Sequence, residues 1–345
     1  MNVPCGLVNL GNTCFLNSCV QILNQIEEIS QVRGFDQNAE DSQVFTAFVE
    51  LQNEMNLAHL KHACQIGQCV AVNPIHFVRT IHRVAHNKGR ELFTGWAQND
   101  LHEFLLFIIE CMHNSKKRQM NIRLNGSVTN ETDAMALKCY KMLKHNYENG
   151  DYSEFADLFN GVSVSRLFTP DGTRLHSTRP EIYSILDLPI PLHPLNFGNA
   201  RSLNLTDCFD AFVADEILQD WENDVSGMRE SVKKNIAFWN FPRVLIISLK
   251  RYSPDGKYKN AAFVDFPVDD LDLSRYVVGY KPASYKYTLF GVANHMGDVN
   301  GGHYTAYVRF SNDKWMCCND SAVSEMSASQ IVSPSAYCLF YRKRP

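Results

Sequence analysis

The chain changes character near residue 150, and this change limits the folds it can adopt. Before it, apolar residues recur at helical spacing in residues 14–26, 44–55 and 100–112, with a further helix indicated near 133–144. From about residue 155, alternating segments rich in β-branched and aromatic residues follow one another, separated by turn signals such as Pro-Asp-Gly at 170–172. We therefore expect an α+β architecture, with a helical front half, a mainly antiparallel sheet behind it, and a cleft between them.

Composition and charge exclude several classes of protein. The 345 residues carry a net charge of -4, so no broad basic field favours nucleic acid or an anionic membrane as the main partner. No apolar run approaches the roughly 18 residues of a membrane helix, and the start lacks a signal-peptide pattern. Eleven cysteines, an odd number without a CxxC pair, suggest neither a disulfide framework nor a four-cysteine zinc site. We expect an intracellular protein, cytoplasmic or nuclear, with free thiols.

One cysteine lies where a thiolate would be stabilised. In residues 9–23, NLGNTCFLNSCVQIL, Asn12 or Thr13 can cap a helix and place Cys14 in its first turn. There the unpaired backbone N–H groups and the helix dipole favour an anion. Asn9 could turn its side-chain amide into the same space as an oxyanion donor. A cysteine at a helix start is more often structural, however, and Cys19 is expected to face the core.

A nucleophilic cysteine needs a base, and the base needs an orienting group. His303 follows two glycines and opens an alternating strand. If Phe310 pairs with Trp315 across the following turn, Thr305 lies opposite Asp320, and His303 shares a face with that aspartate. The diagonal Cβ separation would be roughly 7 Å, within reach of a hydrogen bond. A register shift of one residue would place the two side chains on opposite faces.

Several longer motifs occur in a familiar order. A Cys box spans residues 6–23, and a His box spans 301–310 and continues through 314–324. Residues 98–104, QNDLHEF, contain a Gln-x-Asp-x-x-Glu-Phe pattern, and four connecting blocks follow at 158–165, 185–192, 242–252 and 266–276. Together these segments resemble the ubiquitin-specific proteases, a family of papain-like deubiquitinating cysteine proteases. The resemblance covers nearly the whole chain.

The resemblance implies a single catalytic domain over residues 1–345 with a thumb, palm and fingers. The thumb would be helical and span approximately 1–155. The β fingers would comprise approximately 156–182 and 210–240, and the antiparallel β palm approximately 183–209 and 241–345. The catalytic cleft would lie between thumb and palm, and the enzyme would act as a monomer without a cofactor.

The resemblance also implies the roles of individual residues. Cys14 would be the nucleophile and His303 its general base, Asp320 would orient the histidine, and Asn9 would help to form the oxyanion hole. The substrate would be ubiquitin, alone or on ubiquitinated proteins, joined through its C-terminal glycine. The bond cleaved would be an isopeptide, peptide or thioester bond.

Four further residues are implied in binding the C-terminal tail of ubiquitin. Asp100 and Glu103 are three residues apart and share a helix face, and carboxylates pair directionally with the guanidinium groups of the tail arginines. These acids also suit a helix N-terminus in any protein, and both interpretations can hold. Gly302 and Tyr304 would line a narrow channel that accepts the terminal glycines.

The chain departs from the family in its fingers. Many members carry two CxxC pairs that bind zinc there, but residues 166–177 and 216–239 contain no cysteine. We therefore expect fingers without a zinc site and no metal in the protein. Two alternatives stay open at this point: an isopeptidase for another ubiquitin-like modifier, and a module that binds ubiquitin without cleaving it.

Overall fold

The first half of the chain is helical. The computed structural model describes residues 5–32, 39–63, 71–191, 203–223, 227–253, 255–299, 301–310 and 313–345. Its helices are α1 Cys14–Leu23, α2 Glu27–Gln31, α3 Glu40–Ala63, α4 Ile75–Asn87, α5 Leu101–Lys116, α6 Glu131–Glu148, α7 Glu154–Phe159 and α8 Leu205–Val213. In the described ranges, no helix combines the length and apolarity required to cross a bilayer.

The second half forms antiparallel sheets. The strands are β1 Gly161–Phe168, β2 Leu175–Tyr183, β3 Ile185–Pro189, β4 Leu203–Asn204, β5 Glu216–Glu222, β6 Arg229–Asn240, β7 Val244–Lys250, β8 Val264–Asp265, β9 Leu271–Asp272, β10 Lys286–Asp298, β11 Gly301–Arg309, β12 Trp315–Asn319, β13 Ala322–Met326 and β14 Ala336–Lys343. One sheet has the order β2-β1-β6-β5, and a larger one the order β13-β12-β11-β10-β14-β7-β3, with β9 beside β10. Only the pairs β3–β7 and β4–β8 are parallel among the described strands. The α+β prediction is confirmed.

The central strands of the large sheet are buried on both faces, which explains the continuous apolar run of β7. In β7, Ile246 packs into a core shared with α1, α3, α4 and α5, whereas Leu245 and Ile247 pack into a second core with α8. A strand covered on both sides needs no polar alternation. The sheet therefore forms the middle layer, with the N-terminal helices on one face.

Helix α1 lies at the centre of this packing. All ten of its residues are buried, because it is packed between α5 on one side and strands β10, β11 and β12 on the other. Residue Thr13 precedes the helix as N-cap, and Asn24 ends it. This packing holds the start of α1 against the ends of β11 and β12.

The β11–β12 register differs by one residue from the predicted register. Arg309, not Phe310, pairs with Trp315. The turn closes tightly because the Phe310 N–H donates to the Lys314 carbonyl at 2.9 Å and Asp313 adopts a left-handed conformation, φ 62°. Phe310 therefore faces Lys314, which leaves three loop residues, 311–313, and such a loop typically contains a left-handed residue. The predicted pairing of Phe310 with Trp315 required four loop residues. Continued along the strands, the observed register places residue 319, rather than 320, on the His303 face.

Candidate active site

Cys14 is the first residue of α1 and is only 3% exposed. Burial raises its pKa, a backbone N–H of Tyr304 in β11 acts in the opposite direction, and the negative charge of Asp320 raises it further. The helix start alone therefore does not supply a free thiolate. Cys14 needs a base nearby to become a nucleophile.

His303, the predicted base, lies on β11. Its Nε2 lies 2.7 Å from Asn319 Oδ1 and 4.0 Å from Asp320 Oδ2. Because an amide oxygen only accepts, Nε2 carries the hydrogen, and the lone pair of Nδ1 is left to take a proton. The direct hydrogen bond thus goes to Asn319, which the sequence interpretation missed. The sequence did indicate that a shift of one residue in the pairing of β11 with β12 would change which residue shares a face with His303.

The carboxylate of Asp320 is held by two side-chain amides. Its Oδ1 accepts a hydrogen bond from Asn17 Nδ2 at 2.8 Å, and its Oδ2 accepts one from Asn9 Nδ2 at 2.9 Å. The residue lies in the β12–β13 turn with φ 49°, and its main-chain oxygen accepts from the Leu7 N–H at 2.8 Å. Asp320 therefore joins the N-terminal segment, α1 and the hairpin near the imidazole. Its role as the group that orients His303 stays a prediction.

The amide of Asn9 is only partly occupied. One N–H donates to Asp320, while Oδ1 accepts from the main-chain N–H groups of Gly11 at 3.0 Å and Thr13 at 3.2 Å. An amide nitrogen has two hydrogens, so a second N–H is left for another acceptor. Asn9 is thus oriented beside the start of α1, and its part in an oxyanion hole stays a prediction.

A channel of about 500 Å³ leads away from Cys14. Gly302 forms part of its wall, and a Cβ at this position would lie 2.3 Å from the Met296 carbonyl oxygen and 2.4 Å from His295 Nε2. Gln98 bonds the main chain of Gly302 twice, through Nε2 to the carbonyl at 3.0 Å and Oε1 to the N–H at 3.2 Å. Only glycine fits at this position of the wall. The channel walls also include Tyr304, Asp100, Glu103 and Tyr337.

Asp100 holds together two walls of this channel. It is the N-cap of α5, and its Oδ1 accepts from the N–H groups of His102 at 2.8 Å and Glu103 at 3.2 Å. Its Oδ2 accepts from the hydroxyls of Tyr304 at 3.1 Å and Tyr337 at 2.9 Å, on β11 and β14. Both oxygens are thus already used. The contact of Asp100 with a substrate tail stays a prediction. The hydrogen bonds observed are those of a residue that caps the start of a helix.

Glu103 has a different environment. Its side chain is exposed in the first turn of α5 and borders both the channel and a neighbouring groove of about 1100 Å³. Within the described part of the chain it forms no ion pair. Of the two predicted tail-binding acids, Glu103 is the one whose carboxylate is available to a cationic ligand.

His295 is a further buried group at the channel that the sequence interpretation missed. It is 4% exposed, and its Nδ1 is 2.7 Å from Lys259 Nζ and 2.8 Å from the Tyr252 hydroxyl. Burial lowers its pKa to about 4, and the charge of Lys259 contributes. The imidazole is therefore neutral near pH 7, with Nε2 directed at Gly302. Its position in an apolar strand indicates burial but gives no sign of this contact.

No side chains are grouped to bind a metal in the ranges that the structure describes. Clusters of three or more His, Cys, Asp or Glu with ligand geometry are not found there. The chemistry of this site is that of a cysteine, a histidine and the amides around them.

Comparison with known proteins identifies the family. Residues 5–341 match the family model for ubiquitin carboxyl-terminal hydrolase. Ubiquitin carboxyl-terminal hydrolase 21 of Bos taurus is 31% identical over 98% of this chain and 61% of its own length; ubiquitin carboxyl-terminal hydrolase Usp2 of Drosophila melanogaster is 29% identical over 98% and 35%. The chain thus spans about a third to three-fifths of these relatives.

A solved structure shows the same fold. The SAGA Ubp8/Sgf11/Sus1/Sgf73 DUB module bound to ubiquitin aldehyde superposes with a TM-score of 0.72 and 24% identity, over 99% of this chain and 70% of the other. Together with the family match over residues 5–341, this confirms the resemblance indicated by the Cys and His boxes. The chain belongs to the ubiquitin carboxyl-terminal hydrolase family, as a member of the ubiquitin-specific protease type.

Proposed function

We propose that this chain is a thiol-dependent deubiquitinating hydrolase, which cleaves the peptide, isopeptide or thioester bond at the C-terminal glycine of ubiquitin. One observation carries the proposal: Cys14 at the start of α1 packs against β11, where His303 is held through Nε2 by Asn319 at 2.7 Å. This arrangement leaves Nδ1 as the basic nitrogen.

The reaction begins with proton transfer. His303 accepts the proton of the Cys14 thiol, whose raised pKa makes that base necessary. The thiolate attacks the glycine carbonyl carbon, and the imidazolium returns the proton to the leaving group, which is an amine or, for a thioester substrate, a thiol. Water, deprotonated by the same imidazole, then attacks the enzyme thioester, and the imidazolium returns that proton to the departing Cys14 thiolate. Ubiquitin leaves as its carboxylate, and the remaining proton of the water is lost to solvent.

The groups around this pair stabilise charge. The Asp320 carboxylate lies 4.0 Å from His303 Nε2, so it places a negative charge beside the imidazolium that forms during the reaction. The backbone N–H groups at the start of α1 and the second N–H of Asn9 are donors for the oxyanion of the tetrahedral intermediate.

The channel supports a glycine-ended substrate. Gly302 belongs to the channel wall, and the contacts that a Cβ would make there with Met296 and His295 keep this part of the wall free of a side chain. In the same channel, the exposed Glu103 offers a carboxylate to an arginine of the substrate tail. Ubiquitin and ubiquitinated proteins combine these two features, and they are the partners that we propose.

We further propose that the enzyme acts as a monomer in the cytoplasm or nucleus. The nine cysteines in the described ranges are all free thiols, as expected in a reducing compartment. A net charge of -4 offers no basic surface for nucleic acid.

A ubiquitin probe with a C-terminal electrophile tests the proposal. It should label the wild type and the Cys19→Ala variant, but not Cys14→Ala. Cys19 is a matched control, because it lies on the same helix and its thiol is buried, with a pKa raised by that burial. Equal labelling of Cys14→Ala and wild type would refute the assignment of the nucleophile.

Matching probes made from other ubiquitin-like modifiers, each with the same C-terminal electrophile, identify which modifier the enzyme recognises. If one of them labels the enzyme in preference to the ubiquitin probe, that modifier takes the place of ubiquitin as the proposed substrate. Binding of ubiquitin without turnover of a ubiquitin–fluorophore substrate would favour a non-cleaving module.

A further inference from the structure

Asn17 connects the nucleophile helix to Asp320. It lies three residues after Cys14 on α1 and is 2% exposed. Its Nδ2 donates to Asp320 Oδ1 at 2.8 Å, with longer contacts of 3.4 Å to the carbonyls of Leu7 and Val8. Its shortest hydrogen bond is therefore to a carboxylate beside the catalytic pair.

The side-chain oxygen of Asn17 is in an environment that is unfavourable for stability. Its Oδ1 is buried and has no hydrogen-bond partner among the described residues. A buried acceptor without a partner normally costs free energy, so the residue needs a compensating role. The charge-assisted hydrogen bond to Asp320 is the compensation that the geometry offers.

This hydrogen bond determines how the carboxylate is turned. With Oδ1 held by Asn17, the other oxygen, Oδ2, faces both the Asn9 amide at 2.9 Å and His303 Nε2 at 4.0 Å. Without the Asn17 donor, the carboxylate loses one of its two amide partners, and rotation of the group would displace Asn9 as well.

We propose that Asn17 is a positioning residue for the reaction. Through Asp320 it keeps the charge beside His303 and the amide of Asn9 in their working orientation, while it touches no reacting atom. The inference rests on the proposed hydrolase function and adds to it a second support for the base and the oxyanion donor.

Gln21 provides a matched control one turn further along α1. It is also 2% exposed, its Nε2 donates to the Cys5 carbonyl at 2.7 Å, and its Oε1 likewise has no partner among the described residues. Both amides thus bind the N-terminal segment, but none of the hydrogen bonds of Gln21 goes to Asp320. A purely structural role would make the two positions equivalent.

The test compares hydrolysis of a ubiquitin–fluorophore substrate and thermal stability across five proteins: wild type, Asn17→Ala, Gln21→Ala, Asp320→Ala and the Asn17→Ala/Asp320→Ala double variant. We expect Asn17→Ala to lower kcat about tenfold, with KM changed less than about twofold. Gln21→Ala should lower the melting temperature similarly but leave kcat within about twofold. The double variant should be no slower than Asp320→Ala, since the two residues act in series.

Equal kcat values for Asn17→Ala and Gln21→Ala, or additive losses in the double variant, would reduce Asn17 to a structural residue. If Asn17→Ala does not fold, Asn17→Asp keeps the side-chain shape, loses the donor and sets a second carboxylate beside Asp320. It should lose at least as much kcat, and wild-type turnover by that variant would overturn the inference. An inert wild type would instead refute the proposed function.

Discussion

Replacement of Asp100 by alanine should destabilise the fold, whereas replacement of Glu103 by glutamine should only weaken substrate binding. The two acids were predicted as a pair on one face of a helix. Their surroundings differ: Asp100 accepts four hydrogen bonds from the helix start and two tyrosines, and Glu103 is exposed at the channel. The variants therefore separate a structural from a binding role.

The expected loss can be worked out from these contacts. An N-cap aspartate contributes about 1 kcal/mol relative to alanine. Each hydrogen bond to a charged group contributes about 1.5–3 kcal/mol, and here the donors are the hydroxyls of Tyr304 and Tyr337, residues that are 6% and 5% exposed. The sum is about 4–7 kcal/mol, and the lower end applies because Asp100 is only half-buried. For a domain of this size the melting temperature should fall by roughly 6 °C.

Scanning calorimetry and steady-state hydrolysis of ubiquitin–fluorophore measure the two effects. Asp100→Ala should show the lowered melting temperature, and Glu103→Gln should melt within about 1 °C of wild type while its KM rises about threefold or more, as expected for a weakened ion pair with the tail. An Asp100→Ala protein with wild-type stability and a raised KM would show that the hydrogen bonds described for Asp100 do not support the fold.

Three further predictions concern the channel and the base. Gly302→Ala should lower kcat/KM of ubiquitin–fluorophore hydrolysis at least a hundredfold, because the new methyl group overlaps the facing strand, whereas Gly95→Ala, where a Cβ meets nothing within 4 Å, should be neutral. Asn319→Ala should lower kcat about tenfold in the same assay because His303 loses its 2.7 Å hydrogen bond, and Asn319→Asp, which keeps an acceptor, should retain most activity. Stability in urea should fall between pH 6.5 and 4, because His295, with a folded pKa of about 4, stays neutral there while the unfolded chain binds a proton; His295→Gln should show a smaller fall.

Each of these three predictions would be contradicted by a different result. A fully active Asn319→Ala beside an inactive Asp320→Ala would restore Asp320 as the orienting group. An active Gly302→Ala would mean that the strands yield and that this position of the channel wall does not require glycine. An unchanged acid dependence in His295→Gln would place the responsible titration on other groups.

The α+β division and the helix that begins at Cys14 could be predicted because they depend on local patterns. The helical periodicity after Cys14 and the apolar run of β7 are properties of neighbouring residues, and both elements occur at those positions. The order of the sequence motifs indicated the family in the same way.

Contacts that depend on a single turn could not be predicted. Which residue shares a face with His303, Asp320 or Asn319, depended on whether Phe310 or Arg309 pairs with Trp315. In the observed turn, where Asp313 is left-handed, the partner of Trp315 is Arg309. Similarly, spacing places Asp100 and Glu103 together on α5, but it does not reveal that two tyrosines from distant strands reach only Asp100. Such contacts arise from tertiary packing and leave no periodic signal.

The four hydrogen bonds to Asp100 also have a dynamic consequence. One carboxylate connects the first turn of α5 to β11 and β14, so the amides of His102 and Glu103 lose their acceptor when the carboxylate moves away with these strands. Helix start and sheet should therefore open as one cooperative unit in hydrogen exchange. Separation of the two channel walls would therefore require the Asp100 carboxylate to leave Tyr304 and Tyr337.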